Sequence, residues 1–550
     1  MSGIIHALNE LIHERGYLPD EDLRALAERL RVPLYRIESV VSFYPHFRRT
    51  PPPRAQVSLC RDVSCRLAGG AGWCSDARAA LADREGVEVR EVSCLGRCDG
   101  APAAAVNEHP ISLELKPDGA VDLAPLLAAV DAPPSPHDLP EPTAAPRRWA
   151  SDPYASAEDR YGVLARLITG GFDADRVVAT LEASGLRGMG GAGFPTGLKW
   201  KIVRKEPGPD KYVVCNADES EPGTFKDRVV LEEMPHLVIE GMAIAGLVVG
   251  AARGIVFIRH EYGKERVALM RAIEDARRRG VLGASVLGSG RPFDIEVFVS
   301  PGGYILGEET ALLECLEDKR GEPRNKPPFP GQKGLFEKPT LINNVETLSV
   351  VPAILDQGAD AWKARGVRGY AGLKLIALSG DVTHPGVYQV PMGTTIGELV
   401  ALAGGVRDGK AVLAIAPGGA SSNFLRGDAL DAPLDFKAIA ERGSMLGSGA
   451  VLIVAEGADI VDLGANVVAF FRNESCGKCV PCRVGSEKAV TILEQAVAGH
   501  GSKRHLALLP QLAETMTETS ICGLGQVALS PFLSVMKAFP DEVRARFTEE

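Results

Sequence analysis

The sequence predicts a multidomain chain of α/β and α+β units, closed by helical segments at both ends. Three observations predict it. The 550 residues accommodate about three to five domains of roughly 100–200 residues each. Strand-like and helix-like stretches alternate between 161 and 365, as they do in βαβ arrangements built on a parallel sheet. Eight of the 11 cysteines fall into two spaced sets, one towards each end, which reads as a metal centre in each of two units.

Composition narrows the function. With 45% hydrophobic and 24% charged residues there is ample material for several cores. A net charge of −10 excludes the basic footprint of a nucleic-acid binder. The amphipathic, charged start MSGIIHALNELIHERG is no secretory signal. The longest apolar run, 241–252, lies between Glu240 and Arg253 and is too short to span a bilayer. A cytoplasmic protein without direct membrane contact is expected, and in that compartment the cysteines do not read as a disulfide framework.

In chain order, 1–53 read as a helical unit, with HALNELIHERG and PDEDLRALAERLRV at helical spacing and Pro19, Asp20 and Asp22 marking a helix start. The stretch 54–130 is mixed α/β: strand AQVSLC, helix AGWCSDARAALADR, strand VEVREVSC, a hairpin from PAAAVN and ISLEL, and helix VDLAPLLAAV. Proline and acid enrichment over 131–160 reads as a linker. The larger α/β domain, 161–365, contains strand KYVVCNA, helix LVIEGMAIAGLVVGAA and strand GIVFIRHEY as one βαβ unit, then helix KERVALMRAIEDARRRG and strand FDIEVFVS. Short strands and turns around IGELVALAGG make 366–460 a compact α+β insert, and 461–550 are helical.

The rest is organised around GMGGAGFPTGLKW, 188–200. Its glycines free the backbone for close approach to a ligand, and bare N–H groups with Lys199 offer positive potential to a phosphate. Gly188, Gly190 and Gly193 also spell G-x-G-x-x-G, but a helix-like stretch ending at Gly185 precedes them, where the dinucleotide fingerprint requires a strand. The bland alternative is a flexible surface loop.

CGKCVPC places Cys476, Cys479 and Cys482 on one turn, and Cys522 follows on another segment; this suits a [4Fe–4S] cubane, with zinc as the alternative. Cys60-x4-Cys65 and Cys94-x3-Cys98 form two pairs, as a [2Fe–2S] rhombus needs, again with zinc as the alternative. Cys74, Cys215 and Cys315 read as small buried hydrophobes. Clusters move single electrons and a nicotinamide moves a hydride, so a chain with both needs a converter, and flavin serves as one. The competing reading is a zinc-stabilised scaffold without redox function.

Two further loops bear on such a cofactor. NADESEPGTFKDR gathers Asp218, Glu219 and Glu221, either as solvated acids or as partners of ribose hydroxyls. SPGGYILGEETALLECLE carries Glu308 and Glu309 into a helix start, which ordinary capping would explain. Asn343 and Asn344 in LINNVETL could supply amide contacts to a flavin or serve a turn.

GGAGFPTGLKW, CNADESEPGTFKDR, GGYILGEETALL, KPPFPG, NNVET and ESCGKCVPCR with SICGLG occur in one order and together resemble the NADH-oxidising flavoprotein subunit of respiratory complex I. SFYPHF, the C-x4-C pair and SCLGRCDGAP resemble that complex's thioredoxin-like [2Fe–2S] subunit. The resemblance implies a thioredoxin-like ferredoxin domain, a Rossmann-like FMN domain, a β-grasp (SLBB-type) insert and a helical domain holding the cubane. It implies FMN against Gly188, Gly190, Gly191, Lys199, Asn216, Asp218, Glu219, Tyr304, Gly307, Glu308, Asn343, Asn344 and Thr347. It implies NAD(H) against Phe194, Glu221, Glu309, Lys326 and Phe329, with hydride passing to the flavin beside Glu309 and no protein acid or base. The complex I pattern has arginine at Met189 and an aromatic residue at Ile202. Fusion of the two modules is similar to the diaphorase subunits of soluble NAD-dependent formate dehydrogenases and of NAD-reducing [NiFe] hydrogenases. The apolar Met189 and the Cys60-Arg-Asp-x-x-Cys65 spacing favour the formate enzyme, whose partner subunit would carry molybdenum or tungsten and further clusters.

Overall fold

The computed structural model describes residues 3–136, 138–142 and 147–548. Three helices, Ile4–Arg15, Asp20–Leu30 and Leu34–Phe43, open the chain. Asp20, Glu21 and Asp22 fill the first turn of the second helix, where acids oppose the positive end of its dipole. This unit builds no core of its own: Ile5, Leu8, Leu23 and Ile37 are buried in a cluster continuous with Leu312, Leu313 and Leu316 of the larger α/β domain. Polar contacts fasten the same seam, with Tyr44 donating to the Lys319 carbonyl (2.7 Å) and the Ile5 N–H to Asp318 (2.8 Å).

The first sheet contains β1 (Ala55–Cys60), β2 (Val87–Val92), β3 (Ala103–Val106) and β4 (His109–Ser112), in the order β2-β1-β3-β4. β1 and β2 run parallel and the other pairs antiparallel. The hairpin is tighter than ISLEL suggests, because Asn107 and Glu108 take φ of 48° and 67° and so make a two-residue turn. β4 therefore starts at His109.

The second sheet is fully parallel: β5 (Tyr212–Ala217), β6 (Arg253–Arg259), β7 (Asp294–Ser300) and β8 (Thr340–Asn344), ordered β7-β6-β5-β8. Its crossover helix Pro235–Val249 is buried at every position from His236 to Val249, which explains the apolar run as core. The third sheet holds β9 (Leu373–Gly380), β10 (Gly386–Pro391), β11 (Val412–Ala416), β12 (Leu425–Arg426) and β13 (Ala450–Ala455), ordered β10-β9-β13-β11-β12. A parallel β9–β13 pair lies at its centre, and the helix Ile396–Leu402 is fixed by a Thr395/Glu398 capping box. Helices Ile460–Asn473, Val480–Val497, Lys503–Thr519 and Ser530–Ala538 dominate the C-terminal unit.

The stretch expected to be a linker behaves differently in its second half, since Trp149 and Tyr154 are buried. Trp149 Nε1 donates to Glu233 (2.7 Å) and the Tyr154 hydroxyl to Glu240 (2.6 Å), so aromatic burial straps this segment onto the α/β domain. Residues 137 and 143–146 of that stretch lie outside the described residues. Among the described residues no helix is long and apolar enough to cross a membrane.

Candidate functional site

The glycine loop joins two helices, Ala174–Ser184, closed by Gly185 at φ 74°, and Thr196–Lys205. The Met189 N–H donates to Thr347 Oγ1 (2.8 Å), which pins the loop to the turn after β8. A Cβ on Gly190 would stand 2.9 Å from Asn344 Cβ, so only glycine permits this approach. Gly188 lies in the same turn, its N–H bonded to the Phe194 carbonyl, and Gly191 takes φ 136°. Phe194, Leu198, Ile202 and Phe329 are 39–54% exposed and form an apolar lip beside the loop.

A charged wall faces it. Lys199 Nζ lies 3.4 Å from Glu309 Oε2; Lys326 Nζ lies 2.6 Å from Glu308 and 3.4 Å from Glu309. Glu308 also caps the helix Glu309–Leu316 by accepting the Thr310 and Ala311 N–H groups. Burial alone would raise the Glu309 carboxyl, but Lys199 and then Lys326 outweigh it and hold it below its ordinary value. An anion that drew the two ammonium groups would meet a preformed cationic pair.

β5 delivers the floor. Asn216 Nδ2 donates to the Gly307 carbonyl (2.8 Å), and Asp218 accepts from Ser220 and from Ser300 (3.0 Å). Glu219 turns inward: its carboxylate accepts the Asp227 and Arg228 N–H groups (2.9 and 3.1 Å) and the Tyr262 hydroxyl (2.9 Å). Glu221 Oε1 takes both the N–H and the hydroxyl of Ser421, from the third sheet's unit. Asn343 accepts from Trp200 Nε1 (2.9 Å), while Asn344 accepts the Glu346 N–H (3.0 Å) and donates to Asp227 (2.5 Å). Thus Glu219, Asn344 and Thr347 are tied into the frame by these bonds, Asp218 and Asn343 are buried beside them, and Asn216 and Asn344 are partly exposed.

Beneath lies a charge network that sequence reasoning missed. Lys226 Nζ contacts Asp227 (2.7 Å) and Glu346 (2.9 Å), and Lys374 Nζ contacts Glu346 (3.1 Å). Lys374 Nζ also lies 3.6 Å from Met189 Sδ, so a cation from β9 stands directly under the loop position where the complex I pattern carries arginine. Lys374 had no local signal, because its partners come from another domain.

Burial pushes the Asp218 carboxyl up to about 6, against the opposing Ser220 hydroxyl. A folded-state value above the unfolded one means that stability is lost as pH rises from about 4 through 6. Asp218→Asn is therefore expected to stabilise the ligand-free chain by about 2–3 kcal/mol at pH 7. The gain should fade as pH falls towards 4; denaturant melts at several pH values measure it, and a pH-independent gain would contradict the assignment.

The cysteines converge as two sets. Cys60, Cys65, Cys94 and Cys98 are buried, Cys94 and Cys98 sulfurs lie 3.4 Å apart, and the Cys60 thiol reaches both Cys65 and Cys94. Arg259 ties this site to the sheet, donating to the Cys94 carbonyl (2.7 Å) and the Glu219 carbonyl (2.6 Å). Arg228–Asp99 (2.7 Å) and Arg97–Glu265 (3.0 Å) close the same seam, and the Gly223 N–H points at Cys98. The second thiol pair therefore sits on the loop that carries Asp218 and Glu221.

Cys476, Cys479, Cys482 and Cys522 close the other set, with Lys478 Nζ anchoring their loop to the Pro323 carbonyl (2.6 Å). A Cβ on Gly525 would stand 2.9 Å from Cys482 Cβ, whereas the space before Gly523 is open. Burial pushes the Cys522 thiol up to about 11, although the Gly525 and Leu524 N–H groups oppose it. Glu308 and Tyr304 lie within electrostatic reach of Cys522, and the Tyr304 ring packs on Phe470 at 4.9 Å. A tetrahedral zinc with bonds of about 2.3 Å holds its sulfurs roughly 3.8 Å apart. Among the described residues neither set brings three sulfurs within 4.8 Å of one another. Cys74, Cys215 and Cys315 are packed as buried small side chains.

Family comparisons agree with this geometry. The thioredoxin-like [2Fe–2S] ferredoxin family matches 1–124, the Nuo51 FMN-binding domain 181–353, the SLBB domain 375–423, and the NADH-ubiquinone oxidoreductase-F iron–sulfur binding region 462–546. The chain is 33% identical to the NAD-reducing hydrogenase HoxS subunit alpha of Cupriavidus necator, covering 98% of this chain and 91% of that one. It is 44% identical to the NADP-reducing hydrogenase subunit HndC of Solidesulfovibrio fructosivorans, over 71% of this chain and 79% of the other. With an NADH-quinone oxidoreductase subunit of Escherichia coli it shares 42% identity over 72% and 89% of the two chains. A solved NAD+-reducing [NiFe]-hydrogenase in its H2-reduced state superposes with a TM-score of 0.88 at 32% identity, covering 100% of this chain and 93% of the other.

Proposed function

The chain belongs to the family of FMN and iron–sulfur diaphorase subunits, with the thioredoxin-like unit fused ahead of the flavin domain, and from that premise we propose how its residues divide the work. It is an NAD-dependent electron-transfer subunit whose cofactors are FMN, a [4Fe–4S] and a [2Fe–2S] cluster. Bound FMN supplies the conversion between the hydride of a nicotinamide and the single electrons of the clusters. The proposed ligands are Cys476, Cys479, Cys482 and Cys522 for the cubane and Cys60, Cys65, Cys94 and Cys98 for the rhombus.

The observation that supports the site assignment is that Glu308 and Tyr304 lie within electrostatic reach of Cys522, and on it the proposal sets the cubane on the side of the charged wall. The proposal seats FMN against Gly188, Gly190, Gly191, Lys199, Asn216, Asp218, Glu219, Tyr304, Gly307, Glu308, Asn343, Asn344 and Thr347. Lys199 and the bare loop N–H groups meet its phosphate. Glu219, Asn344 and Thr347 act by shaping the frame, through the inward bonds described above. NAD(H) lies against the lip, with Phe194 and Phe329 as stacking faces, Lys326 near the phosphates and Glu221 on a ribose. Glu309, held ionised between two lysines, orients these cations and moves no proton. Glu221 also favours NAD over NADP, since an acid at the ribose repels a 2′-phosphate.

Glu221→Ala is expected to raise the KM for NADH about tenfold or more, the value of one charge-assisted hydrogen bond, while FMN stays bound. Steady-state kinetics with an artificial acceptor and the flavin content check it; equal loss of FMN would overturn the placement of that acid.

The proposed partner is a molybdenum- or tungsten-containing formate dehydrogenase subunit with further clusters, and the proposed compartment is the cytoplasm. The apolar Met189 and the Cys60 to Cys65 spacing support it. A second reading, an NAD-reducing hydrogenase, is supported by the likeness along the whole chain. Purification of the native assembly separates them. Molybdenum or tungsten with formate-driven NAD+ reduction bears out the first, and nickel with hydrogen-driven reduction replaces it.

A further inference from the structure

A second cluster of ligand-type side chains lies away from both cysteine sets. His46 follows the helix Leu34–Phe43, Glu108 occupies the tip of the β3–β4 hairpin, and His260 directly follows β6. Each belongs to a different unit of the chain. One ligand atom from each lies within 4.8 Å of the other two, and among the described residues this is the one trio of its kind. His46 Nδ1 stands 3.4 Å from Glu108 Oε1, and the two imidazole centroids are 4.8 Å apart, tilted by 43°.

We propose that His46, Glu108 and His260 form a divalent-metal site of the zinc class that clips the N-terminal helical unit and the thioredoxin-like unit to the flavin domain. The ligand types and their spacing carry the argument. Zinc bonds of about 2.0–2.2 Å to nitrogen and oxygen put neighbouring ligand atoms roughly 3.3–3.5 Å apart in a tetrahedron, the spacing His46 and Glu108 already have. All three residues line one cavity of about 1110 Å³, which leaves room for water in the fourth position. A simple ion pair accounts for His46 and Glu108 but not for the third member. His260 Nδ1 is buried without a hydrogen-bond partner, its nearest acid, Glu261 Oε2, lying at 3.4 Å. A ring orphaned on one nitrogen and pressed against another imidazole is the arrangement a metal resolves, since neutral imidazole is a common zinc ligand. Among the charges nearest the trio, Glu261 is paired with Arg259, and Arg266 lines the same cavity.

The location gives the clip a consequence. Arg259, the residue before His260, is the one that holds the Cys94 carbonyl, so a metal at His260 would stiffen the seat of the second thiol pair. The test uses the full chain with its iron and flavin loaded, treated with a mild chelator and then titrated with zinc chloride. Wild type should take up about one zinc per chain with its iron unchanged, and its melting temperature should rise. Anomalous difference maps collected on either side of the zinc edge should place the ion between the three residues. Glu108→Gln and His260→Asn should each weaken uptake at least tenfold and abolish the thermal shift at unchanged iron and flavin content. If His260→Asn fails to fold, His46→Gln serves in its place. Zinc uptake that is absent, that occurs only at the expense of iron, or that survives all these variants overturns the proposal.

Discussion

Cys522→Ala is expected to leave a folded flavoprotein that NADH still reduces but that no longer exchanges electrons with its partner. The three thiols at 476–482 share one loop and the start of the helix Val480–Val497, so they remain together when Cys522 is gone. Cys522 comes from a separate segment and is the proposed fourth ligand, where alanine offers no donor. The larger share of the iron should be lost, while the [2Fe–2S] set, held by other elements and by Arg259, keeps its own. Glu308 and Tyr304 lie within electrostatic reach of Cys522, so in the proposed arrangement the same change removes the centre nearest the flavin seat. Bleaching of the flavin by NADH should persist at close to the wild-type rate, and partner-driven NAD+ reduction should fall by more than a hundredfold. Iron analysis and the two assays together separate this from general unfolding. Partner-driven turnover at the wild-type rate would show that electrons bypass this centre.

The features legible in the sequence are those whose meaning is contiguous. Cysteine spacing, the run of glycines between two helices and the βαβ alternation each encode their geometry within a few residues, and the parallel sheet β7-β6-β5-β8 follows the last of them. What could not be read are roles assigned by distant partners. Glu219 looks like Asp218 in the string NADESE, yet it faces Tyr262 and two backbone N–H groups and serves the frame. Lys374 is an ordinary strand lysine until β9 places it under Met189. Arg259 has no signal at all as the clasp between a thiol loop and the acidic loop. The proline-rich stretch misleads for a related reason: proline and acid content speak for a tether, but two aromatic rings suffice to dock its second half.

The largest stability effect is expected at Glu346, whose carboxylate bridges Lys226 and Lys374 with all three side chains at most 1% exposed. Glu346 Oε1 also accepts the Leu375 N–H (2.7 Å), so this acid joins the flavin domain to β9. Burial would raise it, but Lys226 and then Lys374 hold it below the ordinary carboxylate range. Removing one partner of a buried pair leaves an uncompensated charge, at a cost of about 3–5 kcal/mol, so Glu346→Ala should lose that much. Lys226 keeps Asp227; Lys374 becomes the orphan. Burial already pulls Lys374 down to about 8, against the pull of Glu346. A lysine whose folded value lies below its unfolded one binds fewer protons when folded, so stability rises with pH across that interval. Without Glu346 the interval opens lower, and the deficit of the variant should narrow as pH climbs from 7 towards 9. Glu346→Gln, which keeps an acceptor for Leu375, should lose less. Because Lys374 also touches Met189, flavin retention should fall along with stability. The decisive comparison is Glu346→Ala combined with Lys374→Met, which removes the orphaned charge and should recover part of the loss. Denaturant melts of wild type, Glu346→Ala, Lys374→Met and the double variant measure the coupling; a double variant no more stable than Glu346→Ala would mean that packing, and not the buried cation, sets the cost.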